Sequence, residues 1–86
     1  EVPDDAYAQA ERWLEMVAGA LAEVGAAPAD VVRTRVFLVD ADDWEPVGRA
    51  HGELFAGVRP ATSFLVIAGL LDPRWRVEIE AEAIVA

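Results

Sequence analysis

The residues of this chain that can do chemistry are few and lie mostly in its second half. They are a single histidine, His51, two adjacent hydroxyls, Thr62 and Ser63, and the carboxylates Glu78, Glu80 and Glu82, spaced two apart. A histidine can shuttle a proton near neutral pH, but a lone histidine set mid-helix, as His51 is between Ala50 and Gly52, reads first as a surface or helix-packing residue. Thr62 and Ser63 follow Pro60 at the entrance to a strand. Hydroxyls there bond the local backbone or hydrogen-bond a neutral ligand. The glutamate spacing suits one side of a strand, and Glu78 reads either as one member of a solvated acidic row with Glu80 and Glu82 or as a cross-strand partner of Arg33 or Arg35, while Glu80 and Glu82 themselves read as structural. Metal chemistry is not indicated, because zinc takes three or four constrained His or Cys ligands and this chain has one histidine and no cysteine. The carboxylates form no calcium loop. Gly48, Gly52 and Gly57 lack the strand-turn-helix setting of a phosphate loop, and no serine nucleophile elbow is present. No cofactor is expected.

Those side chains must be positioned by five elements. From Asp4 to about Val24, the residues Tyr7, Ala10, Trp13, Leu14, Val17, Leu21 and Val24 recur at three- and four-residue steps, the spacing of one buried helical face. Asp4 and Asp5 cap its start and Gly25 its end. Val31 to Val39 is β-branched and apolar with Arg33 and Thr34 interleaved, and reads as a strand. A second helix is predicted from near Asp42 or Asp43 to about Phe55, with Pro46 tolerated in its first turn. Phe64 to Leu70 reads as a strand apolar on both faces, and so covered on both sides. Asp72-Pro73-Arg74 makes a turn, and Trp75 to Val85 a last strand alternating apolar with acidic residues.

This order predicts an α+β fold with both helices on one face of a mixed sheet. The strand-helix-strand unit favours a right-handed parallel crossover, and the last two strands are expected to form an antiparallel hairpin. The second face of the middle strand is also apolar, and a further copy of the chain is the cheapest cover for it. Trp13, Trp44 and Trp75 suit core and interface anchoring.

Composition sets the remaining bounds. With 86 residues the chain holds one domain, spanning 1–86, yet 55% of them are apolar. That is more than a small monomer easily hides, which again points to assembly. The formal net charge is −9 and there is no lysine, which argues against a nucleic-acid partner, since such binding rests on cations that displace counterions. No apolar run is long enough to span a bilayer and nothing resembles a signal peptide. The expectation is a soluble cytoplasmic protein without membrane or nucleic-acid partners.

Three stretches, in order, carry a family resemblance. Asp30-Val31-Val32-Arg33-Thr34-Arg35-Val36-Phe37-Leu38-Val39-Asp40 is similar to an Asp-Val-Val-Lys-Thr-Thr-Val-Phe-Leu-Thr-Asp strand; the helix from Trp44 to Phe55 is followed by Arg59-Pro60-Ala61-Thr62-Ser63; and Val77-Glu78-Ile79-Glu80-Ala81 closes the chain. Together they resemble the Rid family, also called the YjgF or reactive-intermediate deaminase family. The resemblance implies a chorismate-mutase-like subunit of a homotrimer, with small-molecule sites in clefts between subunits and hydrolysis of imines or enamines as the activity. The family's N-terminal strands have no counterpart here.

The resemblance also assigns roles. Glu78 matches the family glutamate that acts as general acid or orients water, and Thr62 and Ser63 fall at the ligand-binding cleft. The family's carboxylate-gripping arginine is replaced by Thr62. A guanidinium makes two parallel charge-assisted bonds to a carboxylate, whereas Thr62 offers one hydroxyl and no charge. The reading is therefore a metabolite-binding Rid-like protein with weak or altered hydrolysis. Two alternatives stand beside it: a noncatalytic oligomerisation module or C-terminal part of a larger or split protein, and an active deaminase using a substitute cation such as Arg59. Some relatives carry a ribonuclease label, to which this sequence lends no support.

Overall fold

The computed structural model describes residues 2–85. Helix α1 runs Ala6–Glu23. The carboxylate of Asp5, rather than of Asp4, caps it by accepting from the Ala8 N–H at 2.7 Å. At the far end Gly25 takes a positive φ of 79°, the left-handed turn that glycine adopts without a Cβ clash, and Ala26 N–H closes onto the Leu21 carbonyl at 2.8 Å. The apolar face buries Ala6, Ala10 and Leu14. Val24, expected on that face, is exposed because the helix has already ended there.

Strand β1, Val31–Leu38, follows a short 3-10 turn and alternates buried Thr34, Val36 and Leu38 with Arg33, Arg35 and Phe37. A second 3-10 turn, Ala41–Asp43, leads into α2, Trp44–Phe55. Pro46 falls in the first turn of α2, where its missing N–H removes no helical bond. Strand β2 is Ala61–Val66, three residues earlier and shorter than the sequence suggests. Strand β3 is Val77–Ala83.

The sheet order is β2-β1-β3. β1 pairs parallel with β2, Thr34 opposite Thr62 and Arg35 opposite Ser63, so the expected parallel crossover is present. The expected hairpin of the last two strands is not. β3 pairs antiparallel with β1, Arg35 opposite Glu80 and Phe37 opposite Glu78, because the residues 67–76 form a connection long enough to carry the chain across to the far edge. β1 is thus the middle strand, and β2 and β3 are edges.

Both helices lie on the face of Thr34, Val36, Leu38, Val77 and Ile79, where Val47, Ala50 and Phe55 from α2 meet Ala10 and Leu14 from α1. Within the chain β2 is not covered as its apolar faces suggest, since all six of its residues are exposed. Phe64 and Val66 turn toward the helix side and Leu65 toward the open face.

Two buried polar residues tie α1 and α2 to the start of β3. Gln9, 1% exposed, donates from Nε2 to the carbonyls of Pro3 and Arg74, each at 2.9 Å, and its Oε1 accepts the Arg76 N–H at 2.7 Å. Asp43 takes the Arg76 guanidinium on both oxygens, at 2.7 and 3.2 Å. Such a fork-to-carboxylate pair fixes orientation as well as distance. Among the described residues no helix is long and apolar enough to cross a membrane.

Candidate functional site

The strand register decides which of the candidate residues can act together. Thr62 lies opposite Thr34 and shares its helix-side face, whereas Ser63 lies opposite Arg35 on the open face. Neighbours on a strand point to opposite sides. Glu78, opposite Phe37, is on the open face but on β3, the other side of β1 from β2. Two strand spacings separate β2 from β3, about 10 Å. Thr62, Ser63 and Glu78 therefore do not converge within one copy of the chain.

Thr62 belongs to a hydrogen-bonded chain. Its Oγ1 donates to the Pro60 carbonyl at 3.1 Å and lies 2.8 Å from Thr34 Oγ1, which in turn lies 2.8 Å from His51 Nε2. Thr34 is fully buried and His51 nearly so. Burial pushes the imidazole pKa below its ordinary value, because a desolvated cation is disfavoured. The ring packs against Phe55 at 4.8 Å between centroids and edge-on to Phe64 at 6.4 Å. His51 is thus a core residue engaged with Thr34; of the two structural readings of this histidine, helix packing fits its surroundings and a surface position does not. The contact with Thr34 could not be read from sequence, since nothing in residue spacing says which helix residue lies over which strand residue.

On the open face the acidic row is half paired. Arg35 bonds Glu80 from Nε at 3.2 Å and approaches Glu82 to 3.7 Å. The cross-strand pairing with Arg33 or Arg35 considered for Glu78 is not formed, because its register opposite Phe37 puts it beyond Arg35. Glu78 makes no ion pair or hydrogen bond among the described residues, and neither does the exposed Arg33. Arg33, Arg35, Glu80, Ala81 and Glu82 line an open groove of about 350 Å³.

Arg59, the suggested substitute cation, stands just before Pro60 with a positive φ of 57°. That conformation costs an L-residue with a Cβ roughly 1–2 kcal/mol. It arises where α2 ends, with the Val58 and Arg59 N–H groups both closing onto the Phe55 carbonyl. Its side chain is exposed. Among the described residues no cluster of three or more His, Cys, Asp or Glu side chains forms a metal-binding group.

Comparison with known proteins gives this arrangement its place. An uncharacterised Streptomyces coelicolor protein is 44% identical over 79 residues, covering 92% of this chain and 59% of its own length. A RutC family protein from Haemophilus influenzae is 31% identical, covering 91% of this chain and 67% of its own length. The chain therefore spans roughly three fifths to two thirds of these relatives. Among solved structures, a Mycobacterium tuberculosis member of the YjgF/YER057c/UK114 family superimposes with a TM-score of 0.95 at 42% identity, over 96% of this chain and 70% of that one. Escherichia coli TdcF, solved with bound serine, superimposes at 0.93 with 27% identity, over all of this chain and 69% of that one. The fold is accordingly the α+β, YjgF-like one, and the family model described as Endoribonuclease L-PSP matches residues 1–85, so the chain belongs to that family.

Proposed function

We propose that this chain is a Rid-like subunit that binds a small metabolite in clefts between copies of itself, with Thr62 and Ser63 supplied by the β2 edge of one copy and Glu78 by the β3 edge of another. The observation that carries this reading is the sheet order. The three residues sit on opposite edges of a three-stranded sheet, so an arrangement of edges from different copies is what brings them together. The exposed apolar side chains Phe64, Leu65 and Val66 on β2 support a further copy as the cover, since a homotrimer of cytoplasmic subunits closes without leaving an open apolar edge. The serine found in the related TdcF structure supports a ligand of metabolite size.

In this reading Glu78, unpaired among the described residues, positions water or donates a proton, and imine or enamine hydrolysis is weak because Thr62 supplies no cation for a substrate carboxylate. Losing a charged hydrogen bond of that kind costs about 1.5–3 kcal/mol, or roughly one to two orders of magnitude in affinity. Titration of the purified oligomer with keto acids, enamines and neutral carbonyl compounds tests the proposal. Saturable binding weakened by Glu78→Gln is expected, and silence across the whole panel overturns it.

A second reading is favoured by one observation of its own. Arg59 is an exposed arginine held in a strained backbone beside Thr62, and such outliers cluster at functional positions. In an active deaminase using Arg59 as the substitute cation, Arg59→Ala abolishes turnover of an imine generated in situ; unchanged turnover removes this reading. A noncatalytic module, or a part of a larger or split assembly, is the outcome if neither binding nor turnover is found.

A further inference from the structure

The hydrogens around Thr62 can be counted. The Pro60 carbonyl only accepts, so the single hydroxyl hydrogen of Thr62 is used in that 3.1 Å contact. A hydroxyl has one hydrogen and two acceptor positions. The 2.8 Å contact between Thr62 and Thr34 must then be donated by Thr34, which uses the only hydrogen Thr34 has. The 2.8 Å contact between Thr34 and His51 must in turn be donated by Nε2 of the ring. The opposite direction leaves the Pro60 contact with no hydrogen in it. Three contacts and three hydrogens match in one sense only, running from His51 through Thr34 and Thr62 to Pro60.

We infer that the exposed side of Thr62 presents a hydrogen-bond acceptor and no donor, so that the ligand group seated there is an N–H donor, a primary amide or an amine, and not a carboxylate. One acceptor position of the Thr62 oxygen remains free on an exposed side chain, and the Pro60 carbonyl adds a second acceptor beside it. A carboxylate, which is acceptor-only, meets lone pairs at both. The chain's net charge of −9 adds a long-range preference in the same sense. His51 and Thr34 are in this account positioning residues: they never reach the ligand, but the bond donated by Thr34 occupies one lone pair of Thr62 and leaves its hydrogen to the Pro60 carbonyl. The inference rests on the proposed binding role of the Thr62 cleft and fixes the polarity of its ligand.

The test uses two probes of one skeleton, pyruvate and pyruvamide, titrated into the full-length oligomer by calorimetry. The inference expects pyruvamide to bind about three- to tenfold tighter than pyruvate, the range of one net hydrogen bond. Thr62→Val should reduce that preference and Thr62→Arg should reverse it. Equal affinities, or a preference for pyruvate in the wild type, overturn the inference while leaving the binding cleft in place. Absence of binding by the wild type and by Thr62→Arg overturns the cleft, and the inference with it. The order of donors is read separately by 15N NMR of the single histidine: the Nε2–H tautomer is expected, and an Nδ1–H tautomer refutes the positioning role given to His51 and Thr34, since Thr62 then donates to Thr34 and not to Pro60.

Discussion

Replacing Thr34 by valine isolates the hydrogen-bonded chain from everything else in the core. Valine has nearly the same shape, so no cavity opens at this fully buried position. What is lost is the acceptor for His51 Nε2 and the donor to Thr62, both at 2.8 Å. Leaving a buried ring N–H without a partner costs about 1–3 kcal/mol. The Thr62 side is exposed, so water replaces that bond at little cost, and burial of the new methyl returns about 0.8 kcal/mol. The net expectation is a destabilisation of about 0.2–2 kcal/mol, which for a domain of this size lowers Tm by about 4–8 °C per kcal/mol. Urea unfolding at fixed protein concentration, followed by the fluorescence of the Trp13–Trp75 pair at 5.8 Å, reads it as a shift in midpoint without a change in slope. In His51→Phe the orphaned donor is already gone, so Thr34→Val should cost about 1 kcal/mol less in that background. A gain of stability in wild type, or strict additivity of the two changes, refutes the network.

Other expectations follow from the same geometry. Because burial holds folded His51 below its ordinary value of 6.5, the unfolded chain takes up the proton first; stability is complete above about pH 6.5 and falls below it until folded His51 also protonates, and His51→Phe should flatten that slope in pH-dependent urea midpoints. Tyr7, the single tyrosine, donates to Glu53 Oε1, chiefly through which its pKa is pushed up to about 12; ultraviolet titration of the phenolate should show this, and Glu53→Gln should bring it back toward 10, the latter not occurring if the bond is absent. Gln9→Met removes three hydrogen bonds that tie α1 to the chain before β3, and should cost about 2–4 kcal/mol in thermal or urea unfolding. Arg59→Gly relieves the positive φ of 57° and should stabilise by about 1 kcal/mol; a loss of stability shows that the arginine side chain contributes more than its backbone costs.

Local pattern made the elements legible, and the third dimension hid the rest. The three- and four-residue recurrence from Tyr7 to Leu21 marked α1, and the two-residue alternation of β3 separated Ile79 from Glu78 and Glu80 before any contact was known. The same alternation implies that Thr62 and Ser63 face opposite ways along β2, which the register with Thr34 and Arg35 shows directly. Strand pairing was not legible, because β3 joins β1 across the whole intervening chain and leaves β2 as an edge. Gln9 falls within the first amphipathic helix and Asp43 near the start of the second, and neither stands out in the sequence. Both are buried by partners 33 or more residues away, at Arg74 and Arg76, and no local spacing encodes such pairs.

The most direct test of the central claim is ammonia release from imines generated in situ by an amino-acid oxidase, measured for the wild-type oligomer and for Thr62→Arg side by side. The account predicts a wild type close to the uncatalysed rate and a gain of activity in Thr62→Arg, because the arginine restores the two-pronged grip on a carboxylate at a cleft otherwise in place. Fast hydrolysis by the wild type contradicts it, since a carboxylate would then be held by a group other than residue 62.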